Sequence, residues 1–291
     1  MAKPIIAIMY DFDKTLCSKD MQNYGFIPNL GMTPEEFWGQ TGEICKKINL
    51  DKILGYMYMM VKKCKEKKIP LTREYLKNLG AKVEFFKGVD TWFQRINAYG
   101  DELGIKVEHY IISSGTKEII EGTSIAGEFK KIYGCEFMYG DDKIAMWPKK
   151  AINYTNKTQY LFRVSKGALD ENDDDGVNQA ADDDKRRVQY TNMIYIGDGM
   201  TDIPCMKLVK ERGGKAIAIY QYAQKEKVFD LVNDGRINYA CLCDYSEGSR
   251  LDKIVKLILD GMSISHKINE TEDKYFDEYM SKMQEKQNDE K

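Results

Sequence analysis

The chain has 291 residues, 43% of them hydrophobic, which at about 150 residues per domain allows roughly two domains and a sizeable core. Its 44 lysines and arginines against 46 acids leave a net charge of -2, so bulk electrostatics gives no footprint for nucleic acid or an anionic membrane. Only His109 and His266 occur and the seven cysteines form no CxxC, which leaves chemistry to carboxylates, hydroxyls and lysines rather than to a His-rich zinc site, a Ser-His-Asp triad or a disulfide framework.

No apolar run approaches the roughly 18 residues of a membrane span, and the few apolar residues before Asp11 are too short for a signal-peptide core, so the expectation is a cytoplasmic protein. The first element is Ile5 to Tyr10, an unbroken apolar run suited to a strand covered on both faces. From Cys17 to Lys87 the character changes, with few β-branched runs and repeated helix signals. Thr33-Pro34-Glu35-Glu36 combines an N-cap hydroxyl, a first-turn proline and an acid three residues on, and 51–68 and 72–79 read as two further helices. From Glu43 to Lys87 twelve basic residues face five acidic ones, a local excess of +7 that reads either as a solvated face or as a positive lid.

Further apolar runs follow at 107–113, 193–197, 216–220 and 239–243, separated by segments long enough for helices. Alternation of this kind predicts an α/β fold, a Rossmann-like three-layer core around a mostly parallel sheet with the helical segment inserted after the first strand. The expected division is a discontinuous core of 1–16 and 88–265, a helical cap of 17–87 and an amphipathic tail of 266–291. Between 170 and 184 lie eight acidic residues without the ligand spacing of an EF-hand, which predicts an exposed, mobile loop. In the tail, Tyr275, Phe276, Tyr279, Met280 and Met283 recur at helical spacing, predicting a helix docked on the core or on a partner.

Four short segments carry chemistry. Asp11-Phe12-Asp13-Lys14-Thr15 directly follows the first strand, where ligands of open α/β sheets bind. Two acids behind an apolar strand need a cation or a shared proton to relieve their repulsion. Gly197-Asp198-Gly199-Met200-Thr201-Asp202 follows another strand, and Asp198 between the glycines argues against a bare pyrophosphate there. Four carboxylates at one sheet edge suit a hard cation, Mg²⁺ before Ca²⁺. Ser113 and Ser114 end a strand just before a helix, as phosphate ligands do, and Lys157 opens a helical segment, with Lys149, Lys150 and Lys166 as rivals.

The order DxDxT, strand-end Ser, Lys and GDGxxD resembles the haloacid dehalogenase superfamily, and the inserted helices resemble its phosphoserine phosphatase-like branch. The resemblance implies that Asp11 is a nucleophile forming an aspartyl-phosphate and that Asp13 is the general acid and base. It implies Mg²⁺ held by Asp11, Asp198, the carbonyl of Asp13 and Asp202 directly or through water, with Thr15, Ser113, Ser114 and Lys157 on the phosphoryl oxygens. The implied activity is hydrolysis of small phosphorylated metabolites, or phosphotransfer or mutase chemistry on the same intermediate; a non-catalytic scaffold is the remaining alternative. Ser113-Ser114-Gly115 stands where phosphoserine phosphatases usually have Ser-Gly-Gly, and Asp20 where that subfamily has a glutamate.

Overall fold

A computed structural model describes residues 3–180, 185–199, 201–222 and 225–289. Seven strands form one sheet: β1 (Ile5–Tyr10), β2 (Lys106–Thr116), β3 (Phe129–Tyr139), β4 (Ala145–Lys150), β5 (Met193–Gly197), β6 (Lys215–Tyr220) and β7 (Tyr239–Leu242), in the order β4-β3-β2-β1-β5-β6-β7. Only β4 runs antiparallel to its neighbour. The expected α/β fold is therefore present. Ile6 to Tyr10 and Met193 to Ile196 have no exposed surface, as strands covered on both faces must. β3 and β4 were not among the expected strands. The first carries Lys130, Lys131 and Glu136, and the second is an edge strand holding Pro148, tolerated there because one side of an edge needs no donor.

The chain leaves β1 for β2 on one side and returns to β5 on the other, so the order reverses at β1. Tyr10 is level with Ile111 of β2 and with Ile196 of β5. The Asp11 amide donates to the Ile196 carbonyl at 3.0 Å, which fixes the chain where it turns off the sheet. Ligand-binding crevices form at such reversal points.

Between β1 and β2 lie α1 (Phe26–Asn29), α2 (Pro34–Ile48), α3 (Lys52–Glu66) and α4 (Arg73–Leu79), followed by α5 (Val89–Glu102). The start signals read from the sequence are real caps. Thr33 and Glu36 form a capping box, Asp51 accepts from the amides of Ile53 and Leu54, and Thr72 accepts from that of Tyr75. α4 is fixed to the core. The Leu71 carbonyl accepts from Ala145 in β4, and Arg73 binds Glu121 of α6 (Lys117–Glu121) and Glu136 of β3. A Cβ on Gly122 would lie 1.7 Å from the Lys77 carbonyl oxygen, so only glycine lets these two backbones touch.

After β4 come α7 (Thr158–Lys166), α8 (Asp174–Asn178), α9 (Ile203–Glu211), α10 (Lys225–Asn233) and α11 (Arg250–Asp289). The acidic segment departs from a plain loop. Its part 174–178 is helical, Arg163 donates to the carbonyls of Asp170, Glu171 and Asp173, and Lys166 donates to those of Val177 and Gln179. Asp182, Asp183 and Asp184 lie outside the described residues, as does Met200. The expected boundary at 265/266 falls inside α11, one continuous helix. Tyr275, Phe276 and Tyr279 are more than 60% exposed, so this half of the helix does not dock on the core. All seven cysteines are free and six are buried. Among the described residues no helix is long and apolar enough to cross a membrane.

His109 belongs to this core and not to the site. Trp92 Nε1 donates to the Tyr10 hydroxyl at 2.9 Å, and His109 bonds Tyr10 through Nδ1 at 3.0 Å and Asn97 through Nε2 at 3.1 Å. Burial depresses the ring to about 3 from an ordinary 6.5. Between these values the unfolded chain binds a proton that the folded chain refuses, so stability falls as pH drops below 6.5. Urea unfolding should show wild type losing about 2 kcal/mol more between pH 7 and pH 5 than His109→Gln, which has no ring to titrate. Equal losses would remove His109 from the acid response.

Candidate active site

Asp11 to Thr15 leave β1 in a tight turn. The Leu16 amide donates to the Phe12 carbonyl, and Lys14 takes a left-handed conformation at φ 58°, which costs a non-glycine residue roughly 1 kcal/mol. This turn lifts Asp11 and Asp13 above the carboxyl ends of the strands. From β5, Gly197 leads to Asp198, and the chain returns through Asp202 at the head of α9. A Cβ on Gly197 would lie 2.5 Å from the Asp202 carboxylate, so the glycine makes room for that acid.

Carboxylate oxygens of Asp11, Asp198 and Asp202 all lie within 4.8 Å of one another. Lys157, wholly buried, donates from Nζ to Asp11 Oδ1 at 2.9 Å and to Asp202 Oδ1 at 2.8 Å. The rival lysines lie elsewhere: Lys149 and Lys150 pair with Glu136, and Lys166 holds backbone carbonyls. Tyr195 donates its hydroxyl to Asp202 Oδ1 at 2.7 Å, a contact the sequence hid inside an ordinary strand. The Asp13 carboxylate stands apart from the cluster of three. It accepts from the Met21 amide at 2.7 Å.

The charges strain against one another. Burial, with the Asp202 charge beside it, pushes the Asp11 carboxyl up to about 6 despite Lys157. Burial and the charges of Asp11 and Asp202 push Asp198 up to about 8. Burial, then Asp20 and Asp11, holds Asp13 well above the usual carboxylate range. Burial works against the Lys157 ammonium, but the two carboxylates outweigh it and keep the cation. One lysine does not neutralise two buried acids and a half-buried one.

Asp202 Oδ2, Thr15 Oγ1 and Ser114 Oγ are buried without a partner among the described residues. An unsatisfied carboxylate oxygen in an over-charged all-oxygen cluster fits a hard divalent cation, and unsatisfied hydroxyls fit an oxyanion. Ser113 Oγ accepts from the Gly115 amide at 2.9 Å. A cavity of about 560 Å³ opens above the sheet edge, lined by Asp11, Asp13, Lys14, Ser113, Ser114 and Asp198. Of the expected residues, Asp11, Asp13, Ser113, Ser114 and Asp198 line this cavity, Lys157 and Asp202 are buried and bonded to each other with Lys157 also on Asp11, and Thr15 is buried in the turn that carries Asp11 and Asp13.

Lys14 escaped the sequence reading because nothing in a lysine signals a left-handed turn. Its ammonium binds both carboxylate oxygens of Asp20, at 2.8 and 2.9 Å. Tyr56 of α3 donates to the Ser114 carbonyl at 2.8 Å and ties the helical segment to the site.

A mostly parallel sheet with acids gathered at its reversal point, a buried lysine bonded to two of them and a helical insertion tied to the same edge by Tyr56 make this edge the candidate active site. Residues 8–207 match the family described as haloacid dehalogenase-like hydrolase, and the chain belongs to it. An uncharacterized protein of Borreliella burgdorferi is 26% identical over 274 residues, covering 85% of this chain and 94% of that one. In structure the chain is similar to a haloacid dehalogenase family hydrolase of Salmonella enterica serovar Typhi, with a TM-score of 0.56, 16% identity and coverage of 89% and 72%. It is also similar to a phosphoserine phosphatase solved as a phospho-aspartyl intermediate analogue, with a TM-score of 0.51, 15% identity and coverage of 88% and 99%. At such identities the likeness is one of fold.

Proposed function

We propose that the protein is a Mg²⁺-dependent phosphohydrolase that cleaves small phosphomonoesters in the cytoplasm through an aspartyl-phosphate on Asp11. The observation that carries this reading is the cluster itself: three carboxylates within 4.8 Å, one lysine beneath them, and a cavity above. Membership of the hydrolase family supports it.

Asp11 attacks phosphorus through the carboxylate oxygen that Lys157 leaves available, and Lys157 fixes the other. Asp13, kept protonated by burial and by Asp20 and Asp11, gives its proton to the leaving alkoxide. As a carboxylate it then takes a proton from the water that hydrolyses the aspartyl-phosphate. Thr15, Ser113 and Ser114 direct hydroxyls or amides at the phosphoryl oxygens. Asp11, Asp198 and Asp202, with the Asp13 carbonyl, would hold Mg²⁺, whose charge offsets the repulsion between a carboxylate and a phosphate dianion. Residues 17–87 act as a cap that covers the leaving group, 1–16 and 88–265 as the catalytic core, and 266–291 as a tail.

Phosphate release from phenyl phosphate should require added Mg²⁺, fall to background with excess EDTA and return when Mg²⁺ is restored. Turnover that ignores EDTA would overturn the metal-dependent reading.

A further inference from the structure

A second cavity, of about 640 Å³, lies between α2, α3 and the catalytic floor and shares Asp13, Asp20 and Ser114 with the first. The two therefore adjoin at these residues, which places the second space beside a phosphate held at the floor. Its apolar walls include Trp38, Leu50, Ile53 and Tyr56, with Gln22, Thr41 and Asn49 among its polar ones. Trp38 and Tyr56 stand edge to face with centroids 6.1 Å apart, and both rings are held. Trp38 donates Nε1 to Asn23 at 3.0 Å and Tyr56 donates its hydroxyl to Ser114. Rigid aromatic walls favour a flat or apolar leaving group.

Gly42 supports the same conclusion. It lies in the middle of α2, where glycine costs about 1 kcal/mol relative to alanine. A Cβ there would meet nothing within 4 Å, and Gly42 lines the cavity. No packing demand explains the missing side chain, and what its absence yields is space.

The charged groups lining this cavity are Asp13 and Asp20 at the catalytic end and Lys46 and Lys52 between the helices. Asp20, the acid beside Asp13, has both oxygens taken by Lys14. Lys46 and Lys52 stand exposed at the rim and make no ion pair among the described residues. Of the basic residues in this segment, Arg73, Lys62 and Lys63 are engaged with acids, and these two remain over the cavity.

We infer that the natural substrate class is phosphomonoesters whose alcohol carries a planar or apolar body and a second anionic group, the body lying against Trp38 and Tyr56 and the anion meeting Lys46 and Lys52. This rests on the phosphohydrolase reading above.

The test compares kcat/KM for phenyl phosphate, the tolyl phosphates and the three carboxyphenyl phosphates, with Mg²⁺ present. The best carboxyphenyl isomer should exceed phenyl phosphate by on the order of tenfold, and the preference should shrink at high salt. In Lys46→Gln/Lys52→Gln the ratio should approach one, while Lys47→Gln, on the same helix but away from the cavity, should keep the wild-type ratio. Gly42→Leu should lower kcat/KM for the aryl esters relative to methyl phosphate by on the order of tenfold, since it fills the space the ring would use. Hydrolysis of all the esters without a carboxylate preference, or a preference that survives the double lysine substitution, overturns this inference alone. Hydrolysis of none overturns the phosphohydrolase reading and this inference with it.

Discussion

Asp11→Asn should lower kcat by about 10⁴-fold or more while leaving the protein folded. The amide keeps the size of the carboxylate and an oxygen for Lys157, but it has no anionic oxygen to attack phosphorus. Asp198 and Asp202 do not replace it, since Asp202 is already held by Lys157 and Tyr195. The same substitution should not weaken the fold. Burial and the neighbouring Asp202 push the Asp11 carboxyl up to about 6, which means the folded chain disfavours its charge, and asparagine removes that charge. In metal-free buffer near neutral pH the thermal midpoint should match or exceed that of wild type, as expected where function keeps a site under electrostatic strain. Loss of turnover together with a fallen midpoint would point to a structural role instead. Undiminished turnover would remove Asp11 as the nucleophile.

Lys157→Met should produce the opposite pairing of effects, a large loss of both activity and stability. The side chain of methionine fills much of the buried space but leaves Asp11, Asp198 and Asp202 facing one another without a cation. Breaking a buried ion pair by removing one partner costs about 3–5 kcal/mol. Because the carboxyls of Asp11 and Asp198, already held up by burial, lose the lysine that lowers them, the folded state takes up protons that the unfolded state does not, and stability recovers as pH falls through that range. Urea unfolding at pH 7 and pH 5 should therefore show the deficit narrowing on acidification, against the trend set by His109. Turnover should fall by about 10²- to 10³-fold through loss of charge on the phosphoryl oxygens. It should not recover at low pH. A deficit that does not narrow with acid would mean that Lys157 contributes packing rather than charge.

Much of this site could be read from the chain, for a physical reason. Strands buried on both faces must be apolar throughout, so 5–10 and 193–197 stand out, and the acids that end them are conspicuous where the run breaks. The helix caps at Thr33, Asp51 and Thr72 were legible because they satisfy backbone amides locally. β3 and β4 were hidden because the sheet's outer strands tolerate Lys130, Glu136 and Pro148. Lys157 looked like any lysine. Its burial depends on two carboxylates distant in sequence, and only the order of the other segments singled it out. Nothing in the sequence marks Tyr195 or Tyr56, because their hydroxyl partners, Asp202 and the Ser114 carbonyl, are brought to them only by tertiary folding. The exposed half of α11 went partly the other way: amphipathic spacing suggested docking on the core or on a partner, and the helix leaves the core.

The contact at Gly122 sets how the mouth of the enzyme can open and how its specificity can drift. α4 is pinned at its start by the strand contact to β4, along its length by Arg73, and at its end by backbone against backbone, so that end of the insertion has no slack. On the phosphohydrolase reading proposed above, admission of a substrate and escape of its alcohol would then fall to the α2–α3 hairpin, which the Tyr56 hydroxyl ties to the Ser114 carbonyl. Residues on that hairpin, Gly42 and the rim lysines among them, are free to change without disturbing the register of the acids beneath. If the proposed reading holds, a lineage carrying this fold would exchange one alcohol for another by editing a single hairpin, on a base held by β4, Arg73 and Gly122.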